Sequence, residues 1–180
     1  MKKTICAFLI CMMSMLGCSA KKTEDPRMNA YETYYHAVED NVKYVSQSTH
    51  FHYSTEMTDL PDGTHRYYIV IDEPQHAMYQ CAVLAVENEE PFAAAKKMMP
   101  SMGILDDPVS MIPNQVNIDK GFVKGIALSG ESSEASVKIR MLVEWKDRTA
   151  KNTTREFLEF RIPAETGEEV PAPEEGTVNE

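Results

Sequence analysis

Three side chains in the first half of the chain are of the types that bind metal ions. His50 and His52 stand two residues apart in the stretch HFHYSTEM, so both imidazoles lie on one face of a predicted strand. The turn Pro61-Asp62-Gly63 pairs this strand with the next, and residues whose numbers add up to about 124 then face each other. Asp72 is therefore expected beside His52. Two imidazoles and a carboxylate form a ligand set for zinc or iron. The alternative interpretation of the same pattern is a polar, solvent-exposed strand face that binds no metal.

Motifs of the common enzyme classes are missing from the sequence. It contains neither a glycine-rich phosphate loop nor a Gly-x-Ser-x-Gly nucleophile elbow, and the serine-rich run at residues 129–136 is predicted to be a turn. The acidic runs at residues 87–90 and 106–107 lack the alternating oxygen ligands of a calcium loop. We therefore expect no catalytic activity and no cofactor.

Cys18 stands out because of the residues that precede it. Residues 4–16 are almost wholly apolar and follow two lysines, which is the layout of a secretory signal peptide. At about 13 residues the run is too short to span a bilayer as a helix. The tetrapeptide Met15-Leu16-Gly17-Cys18 resembles the lipobox of bacterial lipoproteins, with Met15 where leucine is more usual. The resemblance implies that residues 1–17 are a signal peptide and that Cys18 carries lipid; an ordinary secreted protein cleaved nearby is the alternative.

The lipoprotein resemblance also predicts a location and a membrane contact. Acyl chains on Cys18 hold such a protein at the cell membrane, with its domain on the extracytoplasmic side of the envelope. Cys81 is then the only thiol left in the chain, which excludes an intramolecular disulfide. The apolar run around Cys81 predicts a buried small side chain and not a nucleophile.

The charge balance argues against nucleic acid as a partner. The chain has 18 basic and 28 acidic side chains and a formal net charge of −10, which becomes about −12 when residues 1–17 are removed. A surface of this sign repels phosphates, and there is no basic stripe with aromatic residues for stacking on bases. The expected partners are the membrane, through Cys18, and a protein of the cell envelope.

The remaining chain divides into three parts. Residues 18–28 are polar and predict a flexible tether above the membrane. Residues 29–163 are long enough for a single domain with one core. Residues 164–180 are rich in proline, glycine and glutamate with only two valines, and this composition predicts a disordered acidic tail.

Two helices are predicted within the domain. Residues 29–47 form the longer one, because Asn29 and Glu32 make a capping box and apolar residues recur at helical spacing on one face. That face consists of Tyr31, Tyr34, Tyr35, Val38, Val42 and Val45. Residues 91–99 form a shorter helix that Pro100 ends.

The rest of the domain, residues 49–163, consists mostly of strands. The stretch HAMYQCAVLAV is continuously apolar and predicts a central strand, whereas ASVKIRMLVEWK alternates cleanly, with Val137, Ile139, Met141, Val143 and Trp145 facing inward. Six or seven short strands predict a mainly β, antiparallel sandwich of immunoglobulin-like type. The Cys…Trp…Cys spacing of true immunoglobulin domains is missing, so an α+β roll with the long helix across one sheet is the alternative.

These observations lead to one functional hypothesis and one alternative. The chain resembles small bacterial lipoproteins of unassigned role, and we expect a cell-envelope lipoprotein that acts as a binding or structural accessory module. The alternative is a lipoprotein that captures a metal or a solute through His50, His52 and Asp72.

Overall fold

The computed structural model describes residues 25–163, and the predicted signal peptide, Cys18 and the acidic tail lie outside them. The fold is mainly β. Its elements are the helix α1 (Pro26–Glu39), the strands β1 (His52–Asp59), β2 (His65–Asp72), β3 (Met78–Glu87), β4 (Ser101–Met102), β5 (Val109–Met111), β6 (Phe122–Val123), β7 (Ile126–Ser132), β8 (Ser136–Lys146) and β9 (Thr153–Pro163), and short 3-10 helices at Phe92–Ala94 and Ile118–Lys120.

The strands form two sheets. The small sheet has the order β1-β2-β7, and the large sheet has the order β6-β5-β3-β8-β9, with β4 also paired to β3. All pairs are antiparallel except β5 with β6. The prediction of a mainly β fold with mostly antiparallel strands is confirmed. The predicted central strand is β3, which lies between β5 and β8.

A hydrophobic core lies between the two sheets. The small sheet contributes Tyr67, Ile69 and Ile71 of β2, none of which is exposed, and the large sheet contributes every second residue of β8. The five residues of β8 that the alternation predicts to face inward are all buried: Val137, Ile139, Met141, Val143 and Trp145. Each large apolar side chain buried in this way contributes about 1.5–3 kcal/mol to folding.

A second core lies on the outer face of the large sheet, where α1 packs. Tyr31, Tyr35 and Val38 of α1 are buried against Leu84 of β3 and Leu142 of β8. The large sheet is therefore covered on both faces, by the small sheet and by α1. A strand buried on both faces needs apolar residues without alternation, which explains the continuous apolar run of β3.

The boundaries of α1 differ from the predicted residues 29–47. The helix begins three residues earlier because the Asp25 carboxylate caps it, accepting a hydrogen bond of 2.9 Å from the Arg27 N–H. Pro26 fits the first helical position, since the N–H that proline lacks would have no acceptor within the helix there. It ends at Glu39, and the Asn41 side chain bonds the Lys43 carbonyl instead of continuing the helix. Residues 26–28 thus belong to α1 and not to the predicted tether.

Val42 and Val45, predicted on the buried face of the helix, lie beyond its end and are exposed. Residues 91–99 also depart from the prediction, because they contain only one 3-10 turn, at Phe92–Ala94. The chain after this turn is held by contacts from distant residues: the Tyr31 hydroxyl accepts from the Met99 N–H at 2.7 Å, and Lys97 reaches Glu87. Such tertiary contacts outweigh the helix propensity of the alanine-rich sequence.

Candidate functional site

Of the three predicted metal ligands, the structure brings two together. The register of β1 and β2 places His52 opposite Asp72, as the turn predicts, and His52 Nδ1 lies 2.8 Å from Asp72 Oδ1. Both side chains are on the outer, solvent-facing side of the small sheet. The predicted hairpin and its register are confirmed.

His50 is placed elsewhere. It lies in a bend before β1, so strand alternation does not extend to it, and its ring packs against His76 and Trp145 with centroid distances of 5.1 and 5.2 Å. Within residues 25–163 no three His, Cys, Asp or Glu side chains are grouped so that they could hold a metal ion. The set His50, His52 and Asp72 is therefore not assembled as predicted.

A cleft of about 660 Å³ lies at the end of the sandwich where β2 and β5 leave their sheets. Two loops line it, residues 73–75 after β2 and residues 112–116 after β5, together with Lys124. Val116 on its wall is 60% exposed, and Ile118 in the same loop is 77% exposed. We call this region the loop-end surface.

The loop that carries Val116 and Ile118 is closed by its own hydrogen bonds. Asn117 and Phe122 exchange two main-chain bonds of 2.8 and 2.9 Å, and the Asn117 side chain caps the 3-10 helix by accepting from the Lys120 N–H. Gly121, with φ of 70°, ends that helix in a conformation that glycine adopts without strain. The apolar side chains are thus held outward by an ordered loop, although burial would be favourable for them.

A second cleft, of about 420 Å³, lies beside β7. Ser129, Gly130 and Glu131 of β7 line it together with the segment that leads to β4, residues 97–100. Arg66 and Tyr68 on the outer face of β2 and the buried Glu87 complete its lining. We call it the β7 cleft.

Glu87 connects the β7 cleft to the core. Its carboxylate accepts hydrogen bonds from the Tyr67 hydroxyl at 2.6 Å and from the Lys97 ammonium at 2.8 Å. Burial, and then the bond to the Glu87 carboxylate, raise the pKa of Tyr67, so this hydroxyl stays protonated and donates. Gly130 makes room for the ring, since a Cβ at this position would lie 2.3 Å from the Tyr67 oxygen.

The acidic run that begins at Glu87 is predicted from the sequence to lie in a loop, without a link to Lys97. Glu87 is in fact the last residue of β3 and is buried. The local signal for a buried carboxylate is a Glu that directly follows a continuously apolar strand. If the end of the strand is covered, this carboxylate needs a hydrogen-bond donor or a cation as its partner. Its partner, ten residues further on, carries no comparable signal.

Cys81 is buried in the core between the sheets, as predicted. Burial raises the pKa of its thiol to about 11. A thiol with so little thiolate at neutral pH does not act as a nucleophile.

No protein-family model matches this chain, and no curated protein matches it. A solved structure described as the X-ray structure of Northeast Structural Genomics Consortium target SoR45 is similar at 10% identity and a TM-score of 0.37, covering 67% of this chain and 90% of that one. A likeness at this level carries no argument about fold or function. Between residues 25 and 163 no helix is both long and apolar enough to cross a membrane.

Proposed function

We propose that this protein is a lipid-anchored binding module of the cell envelope, without catalytic activity, that holds a protein partner at its loop-end surface. The observation that carries the proposal is that one ordered loop displays two large apolar side chains, Val116, which lines the cleft, and Ile118, two residues further along the chain. Exposed large apolar side chains beside a cleft are typical of interaction sites.

The polar groups of the loop-end surface fit a protein partner. Its cleft combines the amide side chains of Gln75, Asn114 and Gln115 with one acid, Glu73, and one base, Lys124. Protein interfaces pair an apolar centre with a polar rim that supplies hydrogen bonds. Val116 and Ile118 provide the apolar part here, and the amides provide donors and acceptors for a partner's main chain.

The anchor in this proposal is Cys18, on the strength of the lipobox resemblance. The chain between Cys18 and the helix cap at Asp25 spans at most about 25 Å when fully extended. A lipid on Cys18 would therefore keep the start of α1 close to the membrane surface. An exported module held in this way meets partners that diffuse in or along the envelope.

We also propose that the sandwich is of immunoglobulin-like type. Strand order supports this assignment: β1-β2-β7 corresponds to strands A-B-E of that fold, and β5-β3-β8-β9 corresponds to C′-C-F-G. Trp145 lies on β8, whereas the hallmark tryptophan of immunoglobulin domains lies on strand C, so the match is one of topology and not of that signature.

The binding proposal is tested by photo-crosslinking in intact cells. A benzoylphenylalanine residue replaces Val116 or Ile118 in separate strains, and the captured protein is identified by mass spectrometry. Val42 is the matched control, because it is an apolar side chain that is 88% exposed and does not line the cleft. We expect the same protein to be captured from both loop positions and not from position 42.

A pair of charge substitutions completes the test. Val116→Asp with Ile118→Asp should abolish co-purification of the captured protein, while Val42→Asp should leave it unchanged. Exposed sites tolerate such changes within about 0.5 kcal/mol of stability, so the urea midpoint should stay the same. Equal capture from all three positions would contradict the proposal.

A further inference from the structure

The β7 cleft is built on two neighbouring pairs of outward side chains. The register of β2 and β7 places Arg66 opposite Glu131 and Tyr68 opposite Ser129, and all of these side chains line the cleft. Residues two apart on a strand project from one face about 7 Å from each other, and paired residues on adjacent strands lie about 5 Å apart. The two pairs therefore outline a patch with the dimensions of a small cyclic ligand.

The charged groups of the cleft are paired with one another. Arg66 Nε donates to Glu131 Oε1 at 3.1 Å, and Nη2 donates to the same oxygen. The Lys97 ammonium donates to the Glu87 carboxylate at 2.8 Å and also to the Glu131 carbonyl. Two bases and two acids leave the lining without net charge. Because a charged ligand would have to compete with one of these pairs for its counter-ion, the cleft favours an uncharged ligand.

Hydrogen-bonding capacity nevertheless remains in the cleft. The pair of Arg66 and Glu131 uses only Oε1 of the carboxylate, which leaves Oε2 without a protein partner among residues 25–163. The guanidinium bonds through Nε and Nη2, so the N–H groups of Nη1 remain for a ligand. Ser129, exposed on β7, adds a hydroxyl that can donate or accept. A ligand hydroxyl can therefore donate to Glu131 and accept from Arg66 in charge-assisted bonds.

Apolar surface lies in the same cleft beside these polar groups. The half-buried Tyr68 lines it together with Met98, which is 49% exposed, and Pro100. The face of an aromatic ring carries partial negative charge and attracts positively polarised C–H groups. The ligand that matches both parts of the lining has C–H groups on its faces and hydroxyls around its edge, as the ring of a sugar has.

We infer that the β7 cleft binds an uncharged carbohydrate, with one sugar ring packed on Tyr68 and its hydroxyls bonded to Glu131, Arg66 and Ser129. The cleft volume of about 420 Å³ lies in the range of ligand sites, about 300–1,000 Å³. Lys97 keeps its bonds to Glu87 and to the Glu131 carbonyl, so no charge pair is broken on binding. The cleft is separate from the loop-end surface, and either binding proposal can therefore fail without the other.

NMR of the ¹⁵N-labelled full chain tests the inference. The probes are uncharged oligosaccharides: maltohexaose, cellohexaose, laminarihexaose, xylohexaose, mannohexaose and chitohexaose. We expect at least one of them to shift the amide signals of Tyr68, Ser129 and Glu131 with a Kd of about 1 mM or lower. Raising NaCl from about 50 to about 500 mM should change this Kd less than about twofold, because no ion pair forms with an uncharged ligand.

Tyrosine variants supply the matched controls. Tyr68→Ala removes the ring and should weaken binding at least about tenfold, whereas Tyr68→Phe keeps the ring and should stay within about threefold of the natural chain. Tyr79→Ala removes a half-buried tyrosine of β3 that does not line the cleft, and it should leave the Kd unchanged. The map of shifted amides in the natural chain keeps the test decisive even if Tyr68→Ala fails to fold.

Three results would overturn the inference. The first is that no oligosaccharide of the set shifts these amide signals at concentrations up to about 10 mM. The second is that the shifted amides lie away from the β7 cleft. The third is binding of anionic polygalacturonate alone, with an affinity that falls as salt rises, since the cleft would then select negative charge and not an uncharged ring.

Discussion

Replacing Gly130 by alanine should destabilise the protein because the new methyl group collides with Tyr67. A Cβ at position 130 would lie 2.3 Å from the Tyr67 hydroxyl oxygen and 2.4 Å from Cζ, and the ring is fully buried. The ring must move, and its bond to Glu87 is lost with it. The residue is not at a positive φ, so the collision and not the backbone causes the effect.

The magnitude follows from three contributions. Overpacking in a well-packed core destabilises by about 1–3 kcal/mol. A buried hydroxyl left without its acceptor adds about 1–3 kcal/mol, and replacing a strand glycine by alanine returns about 0.5–1 kcal/mol. The net loss of unfolding free energy is about 3 kcal/mol. Urea denaturation measures it through the fluorescence of Trp145, the single tryptophan, which is buried in the core.

A double-mutant cycle separates the collision from other causes. In a Tyr67→Leu background the ring is gone, so Gly130→Ala should be neutral or stabilise by up to about 1 kcal/mol. Ser129→Ala, at the exposed neighbouring position, should change stability by less than about 0.5 kcal/mol. The reasoning is refuted if Gly130→Ala is neutral in the natural background, or if its effect is as large with leucine at position 67.

Three further predictions concern titration, reactivity and the docking of α1. Burial and the neighbouring His50 lower the pKa of His76, so an NMR titration should find the pKa of His76 below about 6.5, and His50→Gln should raise this pKa. The stability that neutral His76 contributes is present above about pH 6.5 and is lost as the pH falls through the lower pKa of the folded state. Cys81 should not react with a thiol reagent at about pH 8 in the native protein and should react fully in urea, whereas rapid native reaction would contradict its burial. Tyr34→Phe removes a bond of 2.6 Å to the buried Glu144 and should lower the urea-measured stability by about 1 kcal/mol, and no change would show that this bond does not help to hold α1.

Local rules predict much of the β structure. The turn Pro61-Asp62-Gly63 determines the register that places His52 opposite Asp72, because a hairpin turn leaves the two strands little freedom. The alternation in β8 predicts its buried face because the side-chain period of a strand is two. The continuous apolar run of β3 predicts a central strand, since such a strand is buried on both faces.

Features that depend on distant contacts escape the same rules. The metal-site prediction assumes that the alternation of the strand extends back to His50. His50 instead lies in a bend, and its carbonyl accepts a hydrogen bond from the Gln75 N–H. The segment with helical composition around Lys97 is irregular, because Lys97 bonds Glu87 and the Met99 N–H donates to the Tyr31 hydroxyl. In each case a partner on another element decides the conformation, and the local sequence carries no information about it.

The lipobox resemblance and the clefts of the domain support different parts of the proposed function: the first supports the lipid anchor, and the second supports binding. The lipobox resemblance concerns residues that precede the described domain, whereas the loop-end surface and the β7 cleft belong to the domain itself. The predicted metal-capture alternative depends on three ligands that the structure does not group. The binding module is the better-supported proposal because one ordered loop displays Val116 and Ile118 at the loop-end surface.

Mass spectrometry of the N-terminal peptide, from protein isolated out of the cell envelope, tests the central claim of a lipid-anchored module most directly. The account predicts that the mature chain begins at Cys18 and that this residue carries acyl chains on its sulfur. A mature chain that begins elsewhere, or an unmodified Cys18, would contradict it.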